Sequence, residues 1–268
     1  MKNFKLLATF LTVALSTLIT SCNKDENELD SSKSEKRISK MTLRVVQNGY
    51  ASGFGTYTFY YANGKLVKIK GEGADSDTVE MSITYSGKQI TYSANDPEGG
   101  SYEGVFQLNS DGFVESGIYT EATDGYREQS TCEYSNGYLT KVTLKKHSDT
   151  SGDYVEIGDI YYDANNNISM TRTTRGGTTT SYTFTASNYQ SKGKTLPFAF
   201  VGIGFPDMGG MFALYYCGLL GKEPKNLVSN TTDWYAKNFN YTFDKDGYVN
   251  TMILKNDYTE ETFTFSYE

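Results

Sequence analysis

The chain has 268 residues and a formal charge of −7, with 26 glycines, 23 tyrosines and 15 phenylalanines but only four prolines. A net negative surface repels phosphate, and no basic run exceeds Lys145 and Lys146, so nucleic acid is excluded as a partner. Tyrosine, phenylalanine and glycine at this level suit strands and tight turns rather than helices, so the predicted class is all-β.

The N-terminus opens with Lys2 and Lys5, then an apolar stretch from Leu6 to Ile19 too short to span a bilayer with ordinary flanks. Residues 1–21 read as a signal peptide. Its end, Ile19, Thr20, Ser21, Cys22, resembles the lipobox of bacterial lipoproteins, which implies acylation at Cys22 and a membrane partner held through the N-terminal lipid. Losing Lys2 and Lys5 leaves 23 basic against 32 acidic side chains, a balance of −9. Lys24, Asp25 and Glu26 resemble the surface-export start of Bacteroidetes lipoproteins, so the expected location is the outer membrane, facing the cell exterior, with the periplasmic face as the alternative. Residues 22–40 carry almost no apolar side chains beyond Leu29 and Ile38 and are expected to form a flexible tether.

Residues 41–268 are expected to fold as one domain. A phrase recurs through them: an alternating strand ending in an aromatic, a turn of Asn, Asp, Ser and Gly, and a second alternating strand. It is seen at Tyr61 to Gly64, Tyr85 to Gly87, Asn109 to Phe113, Tyr134 to Tyr138 and Phe243 to Tyr248, with a longer version at Tyr162 to Asn166. Asn-Gly and Asp-Gly pairs tolerate the positive φ of hairpin turns, so each phrase predicts a hairpin and the whole predicts about fourteen strands in meander order. Such a sheet must curl, giving a soluble barrel or half-barrel. Tyr57, Phe59 and Tyr61, and later Phe263, Phe265 and Tyr267, form stripes expected to face the core. The opposite faces are rich in Thr, Ser, Lys and Glu, which argues against strands that face lipid.

Between Thr195 and Asn230 the hairpins stop. Asp207 is a candidate N-cap for a helix over Met208 to Leu220, stopped by Gly221 with Pro224 beyond. Its apolar residues cover nearly every side, so the short helical insert near 207–220 is expected to plug the barrel, or else to line a pocket for an apolar ligand.

Cys132 and Cys217 stand on a predicted strand and a predicted helix, and their pairing stays open because a disulfide demands a narrow Cα separation. The single histidine, His147, is expected exposed in a hairpin turn, with no second histidine to build a zinc site or a Ser-His relay. Asp163, Asn165 and Asn167 share the opening spacing of a calcium loop but Ile168 replaces its glycine, and Asp244 and Asp246 belong to a hairpin turn, so no metal and no cofactor are expected. Glu156 and Asp159 cannot be assigned as an acid and base pair from spacing alone. No catalytic residue is assigned.

The lipobox, the Lys-acidic start, the aromatic-turn-Gly hairpins and the insert ending Gly218, Leu219, Leu220, Gly221, Lys222 together resemble a Bacteroidetes family of uncharacterised lipoproteins. The resemblance covers roughly residues 41–268 and implies a porin-like fold, with no catalytic residues to carry over. The expected function is a non-enzymatic surface binding or accessory module for glycan or another nutrient, with Trp234 and Tyr235 as candidate stacking faces. The alternatives are a carrier of lipid or another apolar ligand in the barrel interior, and a polymer hydrolase.

Overall fold

The computed structural model describes residues 35–73, 78–95, 100–122, 125–195, 209–232 and 238–268. The leader, Cys22, Asp207 and the candidates Trp234 and Tyr235 lie outside the described residues.

Sixteen antiparallel strands run in chain order: β1 (Ile38–Gln47), β2 (Tyr50–Ala62), β3 (Lys65–Gly73), β4 (Thr78–Ser86), β5 (Gln89–Asn95), β6 (Ser101–Leu108), β7 (Val114–Glu121) and β8 (Arg127–Ser135). They continue as β9 (Tyr138–Ser148), β10 (Gly152–Tyr162), β11 (Ile168–Arg175), β12 (Thr178–Gln190), β13 (Asn226–Thr231), β14 (Asn238–Phe243), β15 (Val249–Lys255) and β16 (Thr259–Tyr267). Each strand pairs with its neighbours in sequence, and β1 pairs with β16, so the meander closes into a barrel. The count exceeds the expected fourteen because a turn glycine marks only one end of each hairpin, and the opposite connections carry a less regular signature. Closure also decides between barrel and half-barrel. β1 begins inside the stretch assigned to the tether, since Ile38 and Lys40 pair with Tyr267 and Ser266 and the Ile38 side chain is buried.

The phrase works as expected at its turns. Asn63 and Gly64, and Asn136 and Gly137, both have positive φ at each central position, the geometry whose twist matches paired strands. At this end of the barrel, tyrosines on alternate strands form a girdle. Tyr61, Tyr85, Tyr134 and Tyr162 donate hydrogen bonds to the carbonyls of Ile38, Leu66, Val114 and Leu139, at the start of the preceding strand, over 2.8–3.1 Å. Tyr241 and Tyr267 repeat the pattern on Val228 and Val249.

Helix α1 (Gly209–Tyr216) plugs this girdled end. Met211, Ala213, Leu214, Tyr215 and Tyr216 are buried, and the rings of Phe212 and Tyr216 meet those of Tyr57 and Phe59 at 5.6 and 4.8 Å. The helix ends earlier than Leu220: the Leu219 N–H bonds the Leu214 carbonyl and Gly218 N–H bonds that of Tyr215, with Gly218 at φ +76°. This left-handed cap uses the first available glycine, so Gly221 is not the stop. Gly221 instead bridges to Tyr138, and Leu219 and Gly137 carbonyls accept the N–H groups of Val114 and Lys222, stitching the plug to the wall.

Polar side chains predominate on the outer face, beside exposed Tyr60, Ile118 and Val155. Glu80, Ser82 and Thr84 on β4, Gln129, Thr131 and Glu133 on β8, and Lys145 and His147 on β9 all face solvent. A wall against hydrocarbon needs a continuous apolar band, and these strands put their apolar side chains inside instead. No helix among the described residues is long and apolar enough to cross a membrane.

Candidate binding site

Two regions concentrate polar chemistry. The first is on the outer wall, where one row of cross-strand partners crosses four strands with alternating charge: Glu133 on β8 faces Lys141 on β9, Lys141 faces Asp159 on β10, and Asp159 faces Arg172 on β11. Lys141 lies 3.4 Å from Glu133, and Arg172 Nε and Nη2 reach Asp159 Oδ2 at 3.1 and 2.7 Å. Opposite charges placed side by side on a pleated face hold one another in register. Arg172 also sits over the Tyr161 ring, 5.5 Å from its centroid.

Above this row lies an open groove of about 450 Å³, whose floor and sides include Glu133, Lys141, Asp159, Tyr138 and Tyr161. Tyr138 packs against Tyr162 at 5.0 Å, which fixes that wall. The groove thus offers aromatic faces beside donors and acceptors already held in place by one another, with the charges of the row in balance. That combination suits a neutral, hydroxyl-rich ligand better than a strongly charged one.

The second region is the inner wall near the mouth opposite the plug. Lys146 Nζ lies 3.2 Å from Glu156 Oε2 and 3.6 Å from Glu128 Oε2, with side chains 4, 2 and 12% exposed respectively. Two carboxylates share one ammonium. Burial, opposed by Lys146, pushes the Glu128 carboxyl above the usual range, and Tyr126 OH donates to it at 3.2 Å. Nearby, Tyr119 OH donates to Glu121 Oε1 at 2.6 Å. Sequence reasoning weighed Glu156 only against Asp159, but those two side chains face opposite sides of β10. The missed signal was parity: Lys146 shares the inward face with Val142 and Leu144, and Glu128 with Ser130 and Cys132.

The remaining sequence candidates separate cleanly. Cys132 and Cys217 are unpaired thiols, both pushed up by burial, to about 12 and about 11. Cys217 Sγ lies 3.2 Å from Tyr85 OH. His147 is exposed as expected but sits in β9 rather than in the turn, because β9 runs on to Ser148; its Nδ1 lies 2.6 Å from Asp153 Oδ1, which raises its pKa. Asp163 Oδ1 accepts the N–H groups of Asn165 and Asn167, so the calcium-like spacing serves the turn itself. Asp244 does the same for Asp246 and Tyr248, and Lys36 Nζ occupies the carboxylate pair at 2.7 and 2.6 Å. Among the described residues no three His, Cys, Asp or Glu side chains gather as a metal site.

No family model matches the sequence, and no curated protein matches it. Solved structures do. A porin-like protein from Bacteroides uniformis superposes with a TM-score of 0.65 at 16% identity, over 88% of this chain and 99% of that one. A porin-like protein from Bacteroides vulgatus gives 0.58 at 14%, over 87% and 99%. At these identities the likeness is one of fold.

Proposed function

We propose that this chain is a lipid-anchored, non-enzymatic binding module of a bacterial envelope, which holds a polar nutrient such as a glycan on the outer wall of β8–β11. The carrying observation is the groove in which Tyr138 and Tyr161 stand beside a charge row already satisfied within itself. Fixed partners lower the ordering cost of binding, and tyrosine faces stack on sugar rings. The lipobox-like end at Cys22 and the start Lys24, Asp25, Glu26 support anchoring by lipid at the outer membrane, facing the exterior. The carrier reading is disfavoured by the girdle and α1, which fill the apolar end with the protein's own side chains. A polymer hydrolase working through Glu128 and Glu156 is disfavoured by their burial inside the wall, where a polymer does not reach.

The test is calorimetric titration of envelope and dietary polysaccharide fragments into the wild type and Tyr161→Ala. Binding reduced at least tenfold by the substitution supports the reading. No binding, or binding indifferent to Tyr161, overturns it, and loss with Trp234→Ala alone moves the site to Trp234.

A further inference from the structure

The barrel interior is divided by chemistry. At the plugged end it is apolar and closed by the tyrosine girdle, whereas toward the other mouth β7 to β10 turn Glu121, Glu128, Lys146 and Glu156 inward. If all four ionise, Lys146 offsets only one of three carboxylates. Charge buried in this way demands a counter-charge or a proton.

The aromatic side chains here are arranged as faces. Tyr119 stacks on Tyr102 with centroids 6.3 Å apart, lies 6.2 Å from Tyr92 and meets Tyr126 edge-on at 6.0 Å. Gly104 makes this possible: a Cβ there would fall 2.2 Å from the Tyr92 ring, so that ring lies flat on the wall. A second observation is independent of the charges. Tyr92 is only 1% exposed, yet its hydroxyl has no hydrogen-bond partner among the described residues. Its ring lies 6.2 Å from that of Tyr119, whose own hydroxyl donates to Glu121, so the orphaned hydroxyl belongs to the same inner wall as the carboxylates. An unpaired buried hydroxyl is destabilising, a cost that a bound group with hydrogen-bonding capacity would relieve.

We infer that this inner mouth binds a small organic cation, a protonated amine, between the carboxylates of Glu121 and Glu128 and the rings of Tyr102, Tyr119 and Tyr126, with Tyr92 completing its hydrogen bonds. Tyrosine faces attract ammonium groups, and carboxylates accept their protons. A hard metal ion fits less well: calcium wants six to eight oxygens, and among the described residues no three His, Cys, Asp or Glu side chains are grouped so that they could hold a metal. The site is independent of the outer groove, and neither needs the other.

The experiment is calorimetric titration of the full chain at pH 7.5 and low salt with tyramine and with putrescine, using acetate and glucose as controls. The amines bind and the controls do not; Glu121→Gln and Glu128→Gln each weaken the amines at least tenfold, Tyr92→Phe weakens them about threefold, and Glu80→Gln on the outer face of β4 changes nothing. Should Glu128→Gln fail to fold, Glu121→Gln carries the test, because that side chain is only half-buried. Absence of amine binding overturns the inference, as does binding equally tight in Glu121→Gln, which would mean diffuse attraction to an acidic protein, or a cluster satisfied by water alone.

Discussion

Phe106 lies across the Cα of Gly117 so closely that a Cβ at that position would stand 2.1 Å from its ring. Tyr92 does the same to Gly104 one strand away, and the two rings stack at 5.7 Å. Glycine normally weakens a strand, but here it lets a ring cover bare backbone, which recovers buried apolar contact and flattens the inner wall.

Gly117→Ala should therefore destabilise by about 1–3 kcal/mol through overpacking rather than through backbone strain. Phe106→Leu in the same chain should recover part of that loss, so the double variant unfolds at less cost than the two single losses added. Urea denaturation of the four proteins measures the coupling; strict additivity would mean the contact is not what the glycine serves.

Each girdle tyrosine bonds a carbonyl of its own, so the bonds can be removed one at a time. Tyr85→Phe, Tyr134→Phe and Tyr162→Phe each remove one hydroxyl-to-carbonyl bond and should cost about 1 kcal/mol. Denaturant midpoints falling in step with the number of hydroxyls removed would support a girdle that fastens strand to strand, and no change in any of them would reduce it to simple packing.

Lys146→Met leaves Glu128 and Glu156 buried without their ammonium and should cost about 3–5 kcal/mol near pH 7.5. The Glu128 carboxyl, which burial already raises against the pull of Lys146, would then stand further above its unfolded value in the folded state. The folded chain binds more protons across that window, so stability is intact below the unfolded pKa and is lost as pH rises through the raised folded value. Melting temperatures of the variant should fall between pH 5 and pH 8 more steeply than those of the wild type. A pH-independent deficit would remove the electrostatic explanation.

Acid acts with the opposite sign at Asp244. The Lys36 ammonium holds its carboxyl down to about 2 from 3.8, so its contribution is present above the unfolded value and disappears as pH falls toward 2. Asp244→Asn retains an acceptor for the Asp246 and Tyr248 N–H groups but not the charge. Its unfolding midpoint should drop less than that of the wild type between pH 5 and pH 2.5, as followed by circular dichroism; parallel curves would show that the ion pair is inert.

Much of the architecture was legible because hairpin chemistry is local. Asn63-Gly64 and Asn136-Gly137 demand positive φ, and the alternation of Phe263, Phe265 and Tyr267 with threonine and serine announces a one-sided strand. Where two local signals competed, reading failed: Gly218 and Gly221 both qualify as a helix stop, and only the bonds from Leu219 and Gly218 show which one caps α1. The outer groove was illegible for another reason, since Glu133, Lys141, Asp159 and Arg172 become a row only once four registers are set.

The amino-acid order alone thus determined what short-range sterics and period-two burial can encode: strands, turn types, the polar outside and the greasy plug. Closure of β1 on β16, the sharing of Lys146 between Glu128 and Glu156, and the orphaned hydroxyl of Tyr92 were decided only by tertiary structure. Each depends on which distant side chains meet inside a closed wall, and charge and hydrogen-bond energies vary with that separation and with the exclusion of water, neither of which a linear pattern contains.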